Sequence, residues 1–141
     1  MAESSYGSAY GKWGIARTYA LIFGITYIGV ALVEVIAQDS LKPVLEFTAI
    51  QNAVHWAVGV VVLISFFAGE VVAKLVARIV GVVFVALTLW GVFARASLGD
   101  FLGFSHPLPW SYNIVHALTA IVALYAGFAS RATYRTSTAP A

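Results

Sequence analysis

Four stretches of this chain, Thr18 to Ile36, Ala53 to Ala68, Leu75 to Ala94 and Ile114 to Ala129, hold only two charged side chains between them, Glu34 and Arg78. At a rise of about 1.5 Å per residue, each is close to the length that crosses about 30 Å of hydrocarbon as an α-helix. The second and fourth are short, which predicts helices that begin earlier, around Asn52 and around Tyr112 or Asn113. None alternates with period two, as a strand of a membrane barrel would. Composition agrees: 61% of the residues are hydrophobic and 10% charged, where a water-soluble domain carries about half and about a quarter. The expected fold class is all-α, an integral membrane four-helix bundle, and its first partner is the lipid bilayer. Residues 15–131 are expected to form one transmembrane domain, between a polar tail at 1–14 and a second tail at 132–141.

The tail MAESSYGSAYGKWG is too polar, and the first apolar run too long, for a removable export signal. Trp13 is expected near the lipid headgroups. Lys12, Arg17, Lys74, Arg78, Arg131 and Arg135 fall at one end of the bundle, with Lys42 and Arg95 at the other. The positive-inside rule then places both termini in the cytoplasm. This asymmetry accounts for the basic residues without a nucleic-acid partner. The chain has no cysteine, so disulfides, thiolate metal sites and thiol nucleophiles are excluded.

Sliding the chain against itself exposes a repeat. At an offset of 61 residues about a dozen positions coincide between 16–68 and 77–129. Apolar bias explains matches of Val, Leu and Ala. It does not explain Arg17 on Arg78, Asp39 on Asp100, Asn52 on Asn113 and His55 on His116. We read a tandem duplication of one helical hairpin. Each unit crosses twice, so the halves are expected to be related by a pseudo-twofold along the membrane normal.

The repeated motif is Asn-x-x-His, at Asn52 to His55 and Asn113 to His116. Residues three apart share a helix face. Asn is also a favoured N-cap, and uncapped N–H groups are costly near lipid, so each Asn is expected to cap its helix. The His would lie in the first turn, where the positive helix end keeps the ring neutral. Such a ring can hydrogen-bond a neighbouring helix or loop, which is the structural expectation. Alternatively, two histidines on parallel helices can be ligands to haem, a chlorophyll-like pigment or a metal ion.

The hairpin unit, the paired motifs Asn52-Ala-Val-His55 and Asn113-Ile-Val-His116, and the small-residue-rich spans resemble the bacterial four-helix membrane proteins of domain of unknown function 4383. The resemblance runs from about Arg17 to Ser130. It implies fold and membrane location, and no catalytic residues.

Glu34 and Arg95 occupy equivalent repeat positions with opposite sign. They are read as an ion pair across the two halves or as side chains reaching to water, with a transport-pathway carboxylate as the sharper alternative. No ionisable residue sits mid-span and no proline breaks a span, so a pump, channel or secondary transporter lacks its usual marks. The outer loops are expected at the interface as short amphipathic segments, anchored by Phe47, Phe101, Phe104 and Trp110, with His106 solvated. Ala20 with Gly24, and Ala123 with Gly127, are small pairs that permit close helix contact. No catalytic constellation is present, so an enzyme is not expected. The function expected is a structural or accessory subunit among other membrane-protein subunits, without a cofactor; the alternative is a haem-, pigment- or metal-binding protein using His55 and His116.

Overall fold

The computed structural model describes residues 13–41 and 45–129. The chain order is α1 (Ile15–Leu41), α2 (Ala49–Ala68), α3 (Glu70–Phe93), α4 (Arg95–Leu102) and α5 (Trp110–Ala129), with no strand among the described residues. The four longer helices are each long and apolar enough to cross a membrane. In hydrocarbon the backbone has no water to bond, so a single crossing segment must close its own N–H···O=C ladder as a helix. Residues 1–12 of the expected N-terminal tail, the expected C-terminal tail and the basic residues Lys12, Lys42, Arg131 and Arg135 lie outside the described residues.

Helix α1 pairs antiparallel with α2, and α3 with α5, while α1 and α3 meet at the centre. Lipid tails are as apolar as leucine, so burying leucine drives little association; close backbone approach does. The core is accordingly built from Ala16, Ala20, Ala73, Ala77, Ala120, Ala123 and Ala126 around Tyr19, Val62 and Phe84. Gly24 lies against Leu63 and Gly81 against Leu124, each so tightly that a Cβ would fall under 3.0 Å from the facing leucine. Leu63 and Leu124 are equivalent in the duplication.

The terminal end of the bundle is closed by charged caps. Glu70 opens α3 and accepts from the backbone N–H groups of Ala16 and Arg17 at 3.1 and 3.0 Å. Those amides begin α1 and have no partner within it. Arg17 donates through Nε to the Phe66 carbonyl at 3.0 Å, and Arg78, its repeat equivalent, donates to the Gly127 carbonyl at 2.8 Å. Each arginine thus satisfies a free carbonyl at the last turn of its partner helix, where a cation is favoured. Trp13 meets Phe66 edge-on at 4.9 Å. Between α2 and α3 the chain turns on Gly69 alone, at φ 103°, a left-handed backbone that favours glycine.

At the opposite, loop end two sequence expectations change. Asn52 and Asn113 are not N-caps. Helix α2 starts at Ala49 with Thr48 as its cap: the Thr48 hydroxyl accepts from the Gln51 N–H and the Gln51 side chain accepts from the Thr48 N–H. This reciprocal pair satisfies the first free donors and leaves Asn52 one turn inside the helix. Helix α5 likewise starts three residues before Asn113. The second outer segment does not hold all three of its expected aromatic anchors outward. It forms α4 and a turn, with Gly103 at φ 86° ending the helix, and Leu98, Leu102, Phe104 and Leu108 make a small core of their own. Phe104 is buried in it, while Phe101 and Trp110 stay exposed.

Candidate functional site: a cleft between α2 and α5

Helices α2 and α5 each pack on an inner helix but not extensively on each other. Where they stand apart, in the loop half of the bundle, lies a cavity of about 320 Å³. Phe23 and Tyr27 of α1 and Phe84 and Leu87 of α3 line it from the inner pair; Leu45, Leu102 and Tyr112 line it from the loop end. His55 enters from α2 and His116 from α5. Val54 and Val115, also in the lining, are exposed on the bundle surface.

The two histidines sit in different environments. Glu34 of α1 is 2% exposed. One of its oxygens accepts from His55 Nδ1 at 2.6 Å and the other from the Asn52 amide at 2.8 Å. The second amide hydrogen of Asn52 goes to the Ala31 carbonyl at 2.9 Å. Each oxygen of the buried carboxylate thus accepts a hydrogen bond, which offsets the cost of burying it. Glu34 is therefore not a side chain reaching to water. It bonds Asn52 and His55 rather than Arg95, whose guanidinium lies 4.8 Å from the Trp110 ring centre.

In the second repeat the carboxylate position is Arg95, outside the bundle core, and the site is correspondingly incomplete. Asn113 donates to the Thr88 carbonyl at 3.2 Å, one turn from the position equivalent to Ala31. Its Oδ1 and the Nδ1 of His116 are buried without a hydrogen-bond partner. Gly91 admits Asn113 there, since a Cβ on Gly91 would fall 2.1 Å from Asn113 Oδ1.

A row of rings joins the two imidazoles along the cleft. His55 meets Tyr27 edge-on at 5.6 Å, Tyr27 meets Phe84 at 6.2 Å, and Phe84 meets His116 at 5.6 Å. The Tyr27 hydroxyl reaches Thr119 at 3.5 Å. Among the described residues no three His, Cys, Asp or Glu side chains gather as a metal site would require.

The loop end is fastened over the cleft. The Thr48 hydroxyl donates to the Leu102 carbonyl at 2.5 Å, and the Tyr112 hydroxyl donates to the Glu46 carbonyl at 2.6 Å. His106, expected to be solvated, is 44% exposed yet engaged at both ring nitrogens: Nε2 donates to Glu46 at 2.6 Å and Nδ1 to the Pro107 carbonyl at 3.0 Å. Both partners are acceptors, so the arrangement favours the imidazolium form. The Pro107 carbonyl, and then Glu46, accordingly raise its pKa above the ordinary histidine value.

Sequence reasoning singled out His55, His116 and Glu34 but did not join Glu34 to the motif, and it missed Tyr27, Thr119 and the clasp of Glu46 with His106. One signal was present. Ala20, Tyr27 and Glu34 recur every seven residues, which puts Glu34 on the inward face of α1. Thr48-Ala-Ile-Gln51 is likewise a legible capping-box signature.

The family described as "Domain of unknown function (DUF4383)" matches residues 39–129, a stretch that holds both Asn-x-x-His motifs, and the chain belongs to this family. No curated protein and no solved structure matches it.

Proposed function

We propose that this member of the DUF4383 family is a membrane binding protein that holds a small, largely apolar molecule in the cleft between α2 and α5. The observation that carries this reading is the cavity of about 320 Å³ lined by aromatic rings and two imidazoles. An empty apolar cavity forfeits dispersion contacts, and an engineered one of about 150 Å³ takes up benzene. A cleft of this kind is filled to advantage by a molecule dissolved in the bilayer, and the exposed Val54 and Val115 at its edge suit entry from lipid. Arg17, Lys74 and Arg78 at the terminal end, against Arg95 at the loop end, support cytoplasmic termini in a bacterial inner membrane and a cleft in the outer leaflet.

No catalytic step belongs to this reading. The tetrapyrrole or metal alternative draws on the same two imidazoles, with no third ligand gathered beside them among the described residues. An accessory role among other subunits would draw on the exposed apolar surface, which lipid covers without a partner.

Saturable binding of toluene to the protein in lipid nanodiscs tests the proposal, read from the methyl resonances of Leu87 and Val115. Thr119→Phe, which fills the cleft from a buried position, should abolish it. Methyl shifts that rise linearly with toluene, as simple partitioning into lipid gives, would sink the reading.

A further inference from the structure

Resting on the cleft-binding reading, we propose that the occupant is a phenol, a single aromatic ring with a short alkyl chain, whose hydroxyl donates to Nε2 of His55. The ring's Nδ1 hydrogen is committed to Glu34, and Glu34 is fixed in turn by Asn52. In the neutral ring the opposite nitrogen, Nε2, then carries a lone pair and no hydrogen. Among the described residues nothing donates to it. The cleft therefore offers a hydrogen-bond acceptor in largely apolar surroundings. Such a point favours a ligand that brings a donor and disfavours one that brings only a lone pair, because the latter leaves the imidazole unpaired.

The rest of the cleft narrows the class. Tyr27 and Phe84 meet at 71°, and each meets a histidine edge-on, which presents ring edges and faces to an occupant at the angles aromatic pairs prefer. A ring is therefore favoured over a saturated chain. The volume is about twice that of the engineered cavity that accepts benzene, which leaves room for a short alkyl substituent. A phenolic hydroxyl is more acidic than an aliphatic one and so is the stronger donor to this nitrogen.

The test titrates the full chain, labelled with ¹⁵N-histidine in lipid nanodiscs, with 4-propylphenol, its methyl ether 4-propylanisole, and 1-nonanol. The expected result is a saturable shift at His55 Nε2 with the phenol. It should bind about tenfold more tightly than the ether, the upper end of what one neutral hydrogen bond contributes, and more tightly than nonanol. Glu34→Gln turns Nε2 into a donor and should erase the preference for phenol over ether, while the His116 signals report that the bundle is intact. If phenol and ether bind saturably with equal affinity, the phenol assignment is wrong and the cleft reading survives. A nonanol affinity equal to that of the phenol overturns the aromatic part. If no probe saturates, the cleft reading itself fails. Should Glu34→Gln not fold, the wild-type comparison of phenol with ether still decides.

Discussion

Replacing Glu34 separates what its charge does from what its shape does. In Glu34→Gln the amide can keep its oxygen toward the Asn52 N–H and turn its NH₂ toward His55 Nδ1, provided the imidazole moves its proton to Nε2. Both contacts, at 2.8 and 2.6 Å in the native protein, then survive as neutral hydrogen bonds. Charge-assisted bonds contribute about 1.5–3 kcal/mol and neutral ones about 0.5–1.5, and bonds measured within membrane proteins average about 0.6. The expected loss is therefore about 1 kcal/mol. Glu34→Leu is different in kind: it strands the Asn52 and His55 donors in a site where the native side chain is 2% exposed, at about 1–3 kcal/mol each before relaxation. A total of about 2–4 kcal/mol is expected. Reversible unfolding in mixed detergent micelles measures both losses, and ¹⁵N shifts of His55 report the tautomer. Equal losses for Gln and Leu, or an unchanged His55 tautomer in Glu34→Gln, would refute the hydrogen-bond network as drawn.

The glycines differ sharply. Gly24→Ala should destabilise by about 1–3 kcal/mol through overpacking, because its Cβ would meet the Leu63 backbone at 2.8 Å; Gly29→Ala, with nothing within 4 Å, should be neutral or stabilising by up to about 1 kcal/mol, both read in the same unfolding assay. The His106 clasp should depend on pH. Its folded pKa is raised, so its contribution is full below the unfolded value of about 6.5 and is lost as pH rises through the folded value. Hydrogen exchange of the Glu46 and His106 amides should quicken across that window, and His106→Ala should make it quick throughout. Finally, Thr48→Val removes the capping hydroxyl of α2 and its bond to Leu102. A loss of about 0.5–2 kcal/mol is expected, with faster exchange confined to the first turn of α2.

The sequence by itself determined the four spans and their helical state, because hydrocarbon offers an unpaired backbone no other partner. The C-terminal boundaries of α2 and α3, at Ala68 and Phe93, fall within a residue of the ends of the apolar runs. Residues that the offset of 61 aligns make similar bonds at the terminal end, Arg17 to Phe66 and Arg78 to Gly127. Only the tertiary structure decided which side chains meet across helices. The repeat aligns Glu34 with Arg95 and invites their pairing, yet Glu34 turns inward to Asn52 and His55 while Arg95 lies on Trp110. The reason lies in the solvent. In water a helix marks its buried face by an apolar stripe, but in lipid the outer face is apolar as well, so hydrophobicity no longer reports which way a residue points. Rotation and register are then set by small-residue contacts such as Gly24 with Leu63 and by a few buried polar bonds. Both depend on residues far apart in the chain. The cleft is a product of the same packing: α1 and α3 meet at the centre and hold α2 and α5 apart, a relation that no single segment encodes.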